Sequence, residues 1–189
     1  LKLSRGLGDV YKRQALMQLS IWHREFDSEL MMSINISSIQ MHATFAEQLS
    51  AMLNFYNINP QSIALEITES SMIFKHGEVR QALNDISKLG VELHLDDFGT
   101  GYSSLSMLHD LPISTVKLDK SFVHGSHKGS KAIVRAAHAI CDKLGLKVVA
   151  EGVETEQQKA FLIDCGYRYL QGFLSVSYTH LRAHETASD

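Results

Sequence analysis

The sequence predicts an α/β fold, an incomplete parallel (β/α) barrel, on three observations. Strand-like and helix-like stretches alternate along most of the chain, the pattern of parallel strands joined by right-handed crossovers. Strand after strand ends in a polar residue that the strand itself does not need. Neither a GxGxxG nor a GxxxxGK[ST] follows the first strand, which counts against a nucleotide-binding open doubly wound sheet, the other arrangement that six such strands allow.

Taken in order, Leu16, Leu19, Trp22 and Phe26 recur at helical spacing between Ala15 and Phe26. Met31 to Ile36 reads as a strand, and Phe45 to Tyr56 as a helix with Phe45, Leu49, Met52, Leu53 and Tyr56 on its core face. Ile63 to Glu69 is the next strand, followed by a helix from near Glu78 to Leu89 that Gly90 closes at a C-terminal glycine position. An apolar run from Val91 then stops at Asp96 and Asp97. Gly99 and Gly101 follow, where backbone with positive φ costs little, and Ser103 and Ser104 offer N-caps for a short helix ending near Pro112. Thr115 to Asp119 is a strand, Ser130 to Leu144 a helix closed by Gly145, and Lys147 to Glu151 a strand. Thr155 to Cys165 is a helix followed by Gly166, and Tyr169 to Phe173 a final strand.

The two ends read differently from what lies between them. Gly8-Asp9-Val10-Tyr11-Lys12-Arg13-Gln14 and Ser177-Tyr178-Thr179-His180-Leu181-Arg182-Ala183-His184-Glu185-Thr186 resemble translated sequencing-adaptor read-through. The expected organisation is therefore a non-native adaptor-like tail over 1–14, a partial domain over 15–174 and a second such tail over 175–189, with no functional assignment to either tail.

With 189 residues, 44% of them hydrophobic, the chain suffices for one compact domain with a sizeable core. A net charge of -3 provides no broad basic surface, so a nucleic acid polymer is not an expected partner, although a few local cations could hold a small anion. The two cysteines, Cys141 and Cys165, form neither a disulfide framework nor a CxxC zinc site, and fit a reducing cytoplasm. No run of about 18 apolar residues and no signal peptide is present.

The polar strand ends form a series: Asn35, Glu66, Asp96 with Asp97, Lys117 with Asp119, Glu151 and Gln171. Singly, each has an ordinary role as a turn cap, an ion-pair partner or a backbone acceptor. In a parallel barrel the C-terminal strand ends open on one face, so together they converge on one pocket. Adjacent carboxylates at a strand mouth repel each other and persist when a proton, a base or cations neutralise them. Several oxygen ligands without clustered His or Cys suit Mg²⁺ or Mn²⁺, and a pair of such ions clamps the attacking and leaving oxygens of a phosphoryl displacement. Lys117 adds a fixed positive charge, and a carboxylate outside the metal shell can take a proton from water. Residue types alone thus point to metal-assisted hydrolysis of a phosphoester.

Five blocks in this order, Leu65-Glu66-Ile67-Thr68-Glu69-Ser70, Asp96-Asp97-Phe98-Gly99-Thr100-Gly101-Tyr102-Ser103-Ser104, Lys117-Leu118-Asp119, Glu151-Gly152-Val153-Glu154 and Gln171-Gly172-Phe173, resemble the signature blocks of the EAL-domain family of bacterial cyclic di-GMP phosphodiesterases. The resemblance runs from about Ala15 to Leu174 and implies a TIM-like (β/α) barrel that hydrolyses cyclic di-GMP to the linear dinucleotide pGpG with Mg²⁺ or Mn²⁺, two ions in all. By position it makes Asn35, Glu66, Asp96, Asp97 and Asp119 metal-binding or metal-supporting, Glu151 the group that activates water, and Lys117 the residue that orients water or stabilises charge. Gln171 would hold the Glu151 side of the pocket and Glu69 would anchor the loop from Phe98 to Ser104, which contains Gly99, Thr100 and Gly101. Glu154 would support from behind.

The Glu-Ala-Leu block that names the family belongs upstream of Ala15 and is absent, as are the first strand or strands of the barrel and the segment that follows Gln171-Gly172-Phe173. An unclosed barrel exposes strand edges, so the expectation is an active parent enzyme and a fragment that is weak or inactive by itself. The competing class is a receptor that binds cyclic di-GMP without hydrolysing it, but the retained site residues favour enzyme ancestry. The expected setting is cytoplasmic, with room for a homodimer, fused sensory domains or a membrane tether in the parent. His109, His124 and His127 lack ligand spacing. Met17, Met31, Met32, Met52 and Met107 read as core filling, and both cysteines as inert.

Overall fold

The computed structural model describes residues 2–37, 40–69, 76–101, 105–125 and 128–172. Contacts divide the chain into two compact units, Leu1–Leu95 with Tyr102–Ser114, and Asp96–Gly101 with Thr115–Asp189.

The first unit holds α1 (Lys2–Glu25), β1 (Met32–Ile36), α2 (Phe45–Tyr56), a 3-10 turn (Pro60–Ser62), β2 (Ile63–Thr68), α3 (His76–Lys88), most of β3 (Glu92–Phe98) and α4 (Leu105–Asp110). β1 and β2 are parallel, in a register that sets Asn35 beside Glu66. The helices bury one stripe each. Val79, Ala82, Leu83 and Ile86 of α3, at i, i+3, i+4 and i+7, are all at most 3% exposed. Asn57 ends α2 with φ 54, left-handed backbone that asparagine tolerates, and the Ile58 N–H returns to the Leu53 carbonyl at 3.0 Å.

The second unit holds the end of β3, then β4 (Thr115–Leu118), α5 (Lys120–His124), α6 (Lys128–Leu144), β5 (Lys147–Ala150), α7 (Glu156–Asp164) and β6 (Tyr169–Leu170). β5 pairs in parallel with β4 and with β6. All four residues of β4 are buried, including Lys117. α6 buries Val134, Ala137 and Cys141, and the Tyr167 hydroxyl donates to the Val134 carbonyl at 2.9 Å. A reciprocal cap starts α7: the Gln158 N–H donates to Thr155 Oγ1 at 3.2 Å, and the Thr155 N–H donates to Gln158 Oε1 at 2.9 Å.

Within each unit neighbouring strands pair in parallel and in chain order, β1 with β2 in the first and β4 with β5 with β6 in the second, the α/β arrangement that the alternating pattern predicts. No helix among the described residues is long and apolar enough to cross a membrane.

Several sequence expectations need correction. The helix expected from Ala15 begins at Lys2. Leu16 and Leu19 are fully buried, while Trp22 is 38% and Phe26 76% exposed, Phe26 lying just past the end of α1 at Glu25. Met17 and Met31, read as core filling, are 54% and 52% exposed. Met17 lies about 100° round the helix from Leu16 and farther still from Leu19, off the buried stripe. β3 does not stop at its acids but continues to Phe98. The 3-10 turn and α5 went unforeseen, since one turn is too short to show a period. Ser103, Ser104 and Phe173 lie outside the described residues.

Leu83 is fully buried. Leu83→Ala is expected to lower unfolding free energy by about 2–5 kcal/mol, read as a shift in urea midpoint at unchanged slope.

Candidate active site

Backbone hydrogen bonds carry the sheet pattern past the strand ends in the second unit. The Asp119 N–H donates to the Phe98 carbonyl at 3.5 Å, the Glu151 N–H to Leu118 at 3.1 Å and the Gln171 N–H to Ala150 at 2.9 Å. Each residue just beyond one strand is thereby held beside the last residue of its neighbour.

Asp96 and Asp97 are adjacent, and in a regular strand their side chains would point to opposite faces. Asp97 instead has φ 55, a left-handed conformation that a short polar side chain accepts more readily than most. The Thr100 N–H and hydroxyl both donate to the Asp97 carbonyl, at 3.3 and 2.8 Å, and hold the turn. With the alternation broken, carboxylate oxygens of Asp96, Asp97 and Glu151 lie within 4.8 Å of one another. Gly99 follows with φ 95, and a Cβ there would meet the Phe122 ring at 2.8 Å, so the turn needs glycine on two counts.

Lys117 enters this acid cluster from β4. It is 6% exposed, with Nζ 2.7 Å from Glu151 Oε1 and 3.2 Å from Asp96 Oδ1. A buried ammonium is costly unless paired, and two carboxylates supply the pairing. Burial raises the Asp97 pKa above the ordinary carboxylate value, and the like charges of Asp96 and Asp119 push it the same way, against Lys117 and Lys120. Three clustered carboxylates of this kind match the oxygen donors that Mg²⁺ or Mn²⁺ prefer.

Of the other sequence-predicted residues, Asp119 uses Oδ1 to cap α5, accepting the Ser121 N–H at 2.9 Å. Gln171 is exposed at the end of β6, and its carbonyl accepts the Val153 N–H at 3.0 Å. Glu154 is exposed and donates its N–H to Gln158 Oε1 at 2.8 Å. Thr100 and Gly101 are exposed in the loop after β3. In the first unit, Asn35 is exposed and Glu66 half-buried in their paired register, and Glu69 is 1% exposed just past β2.

An EAL domain family model matches residues 1–176. The chain belongs to the EAL domain family. It is 41% identical over 160 residues to the cyclic di-GMP phosphodiesterase PdeR of Escherichia coli, covering 83% of this chain and 24% of PdeR. It superposes on the PaMucR phosphodiesterase solved with c-di-GMP at a TM-score of 0.85 and 36% identity, covering 92% of this chain and 71% of that one. BlrP1 of Klebsiella pneumoniae, solved with manganese and cy-diGMP, matches at a TM-score of 0.75 and 29% identity over 86% of this chain and 44% of its own. The chain spans about a fifth to a quarter of the length of the first curated relatives it matches.

Sequence reading missed α5 and what it touches. Its residues reach this EAL domain's two acid-bearing loops: Phe122 lies under Gly99, and His124 Nε2 is 2.6 Å from the Gly152 carbonyl, one residue past Glu151. The sole local signal was Asp119-x-Ser121, an Asx-type helix start.

Asp97 titrates above its unfolded value, so the folded state binds the extra proton. The stability this gives is complete below the ordinary carboxylate range and is lost as pH rises through the raised pKa. In buffer without divalent cations, the wild-type urea midpoint is expected to fall relative to that of Asp97→Asn between about pH 3 and pH 7. Parallel midpoints across that range would contradict the assignment.

Proposed function

We propose that this EAL domain, within its parent protein, hydrolyses cyclic di-GMP to the linear dinucleotide pGpG, as a cyclic-guanylate-specific phosphodiesterase of bacterial second-messenger signalling. The observation that carries the reading is Lys117, buried between Asp96 and Glu151, with Asp97 in the same carboxylate cluster.

The donor set fits hard cations, and Asn35, Glu66, Asp96, Asp97 and Asp119 are the residues proposed to hold two Mg²⁺ or Mn²⁺ ions. The chemistry such ions supply when bound is polarisation of phosphoryl oxygens and activation of water. Glu151 receives the proton of the attacking water on its carboxylate. The water oxygen bonds to phosphorus, and the bond from phosphorus to the leaving sugar oxygen breaks, that oxygen taking a proton from solvent to depart as a hydroxyl. Lys117 faces the anionic phosphate with a charge already desolvated by the fold, so little reorganisation accompanies the step. Gln171 supports the loop of Glu151, whose Val153 N–H it accepts. Gly99, Thr100 and Gly101 shape the loop beyond Asp97, Glu69 anchors that loop, and Glu154 stiffens the start of α7.

The reading includes a cytoplasmic setting, supported by two free thiols of which Cys141 is buried with its pKa pushed up to about 11 by that burial. It also includes a homodimer of the parent protein and fused sensory domains, the latter supported by the greater length of the relatives.

The test is titration of the full-length parent protein with cyclic di-GMP in the presence of Mn²⁺, with product analysis on the same sample. Linear dinucleotide is expected, and Glu151→Gln is expected to slow its formation about 10²- to 10⁴-fold. Binding without product would move the domain to the receptor class, and no binding would overturn the reading. Lys117→Met, which leaves two half-buried carboxylates without their cation, is expected to abolish turnover and cost about 1–3 kcal/mol in stability, measured by urea unfolding.

A further inference from the structure

We propose that His124 is a positioning residue for Glu151, acting through the Gly152 carbonyl; its bearing on turnover rests on the phosphodiesterase reading above.

The loop after β5 is held by backbone on both sides of Gly152. The Glu151 N–H is bonded to Leu118 at 3.1 Å and the Val153 N–H to Gln171 at 3.0 Å. Between these tethers sits a glycine with φ 68, the residue type with the widest conformational choice. His124 acts at that weak point. Its Nε2 is 2.6 Å from the Gly152 oxygen, and a carbonyl only accepts, so Nε2 carries the proton. The same nitrogen lies 3.8 Å from Glu154 Oε1, farther along the loop.

The surroundings make this a fitted contact. A Cβ on Gly152 would stand 2.5 Å from Lys120 Cβ and 3.0 Å from His124 Nε2, so α5 lies directly on the loop. α5 is itself pinned at its start by the Asp119 cap, two residues after Lys117. One short helix thereby connects the strand that carries Lys117 to the loop that carries Glu151, whose side chains meet at 2.7 Å. Without the His124 bond, the peptide after Glu151 regains the freedom of its glycine and the carboxylate loses its fixed approach to Lys117. Displacements of about 1 Å at a reacting group suffice to cost orders of magnitude in rate. The His124 side chain is 38% exposed, so the residue is poorly placed to support the core.

The experiment compares His124→Leu, which removes the donor, with His124→Gln, whose amide N–H can replace it. In the full-length parent protein, amide hydrogen exchange across residues 151–154 is measured without metal or nucleotide, and kcat and KM for cyclic di-GMP with Mn²⁺. The leucine variant is expected to exchange about five- to tenfold faster at Glu151 to Val153 and to lose about 10- to 100-fold in kcat at unchanged KM. The glutamine variant is expected to recover most of both, and both variants should melt with the wild type. Wild-type exchange in the leucine variant, no recovery in the glutamine variant, or a melting shift that accounts for the faster exchange would each overturn the proposal. Absence of linear product from the wild type would overturn the phosphodiesterase reading instead, while the exchange comparison still decides the role of His124.

Discussion

The second unit depends on how it satisfies one buried charge. Lys117 sits within β4, where every residue is buried, and an unpaired ammonium there would cost several kcal/mol. Neutralisation comes from both flanking strands: Asp96 of β3 at 3.2 Å and Glu151, just past β5, at 2.7 Å. The charge therefore ties three neighbouring strand ends together. The same arrangement that solves a folding problem leaves carboxylates gathered where a cation or an anionic substrate is needed.

Gathering the acids requires breaking regular strand geometry at defined points. Asp97 turns into the left-handed region, so that two successive carboxylates share one side. Gly99 and Gly152 then supply positive φ where helix α5 packs too closely for a Cβ. The Asp97 turn is locally unfavourable, and the hydrogen bonds from Thr100 over-determine it. Raised Asp97 basicity belongs to the same balance: like charges crowded in a half-buried place gain from a proton or a metal ion. In the first unit, the parallel register of β1 and β2 sets Asn35 beside Glu66 by backbone pairing alone.

Much of this was legible in the residues. Period-3.6 stripes place α2, α3 and α6 within two residues at each end, because apolar spacing and closing glycines are local features. The ordered blocks from Glu66 to Gln171 identified the family, and the family model and structural matches agree. Short elements were not legible. α5 spans five residues, less than two turns, and carries no periodicity, so His124 looked like a loose histidine until it was seen against Gly152. Met17 and Met31 were misjudged because composition gives a preference for burial and not the direction a side chain faces.

By itself the sequence determined the α/β alternation, the polar strand ends and the family, since these follow from local spacing and motif order. Tertiary structure alone decided which acids share a cluster, that Lys117 bridges Asp96 and Glu151, that Asp119 caps a helix, and that α5 touches the loops after both β3 and β5. Apart from the Asp119 cap, which reaches only two residues along the chain, those relations join residues from 20 to more than 50 positions apart. Register, crossover and close packing bring such residues together, and no local pattern encodes their distances.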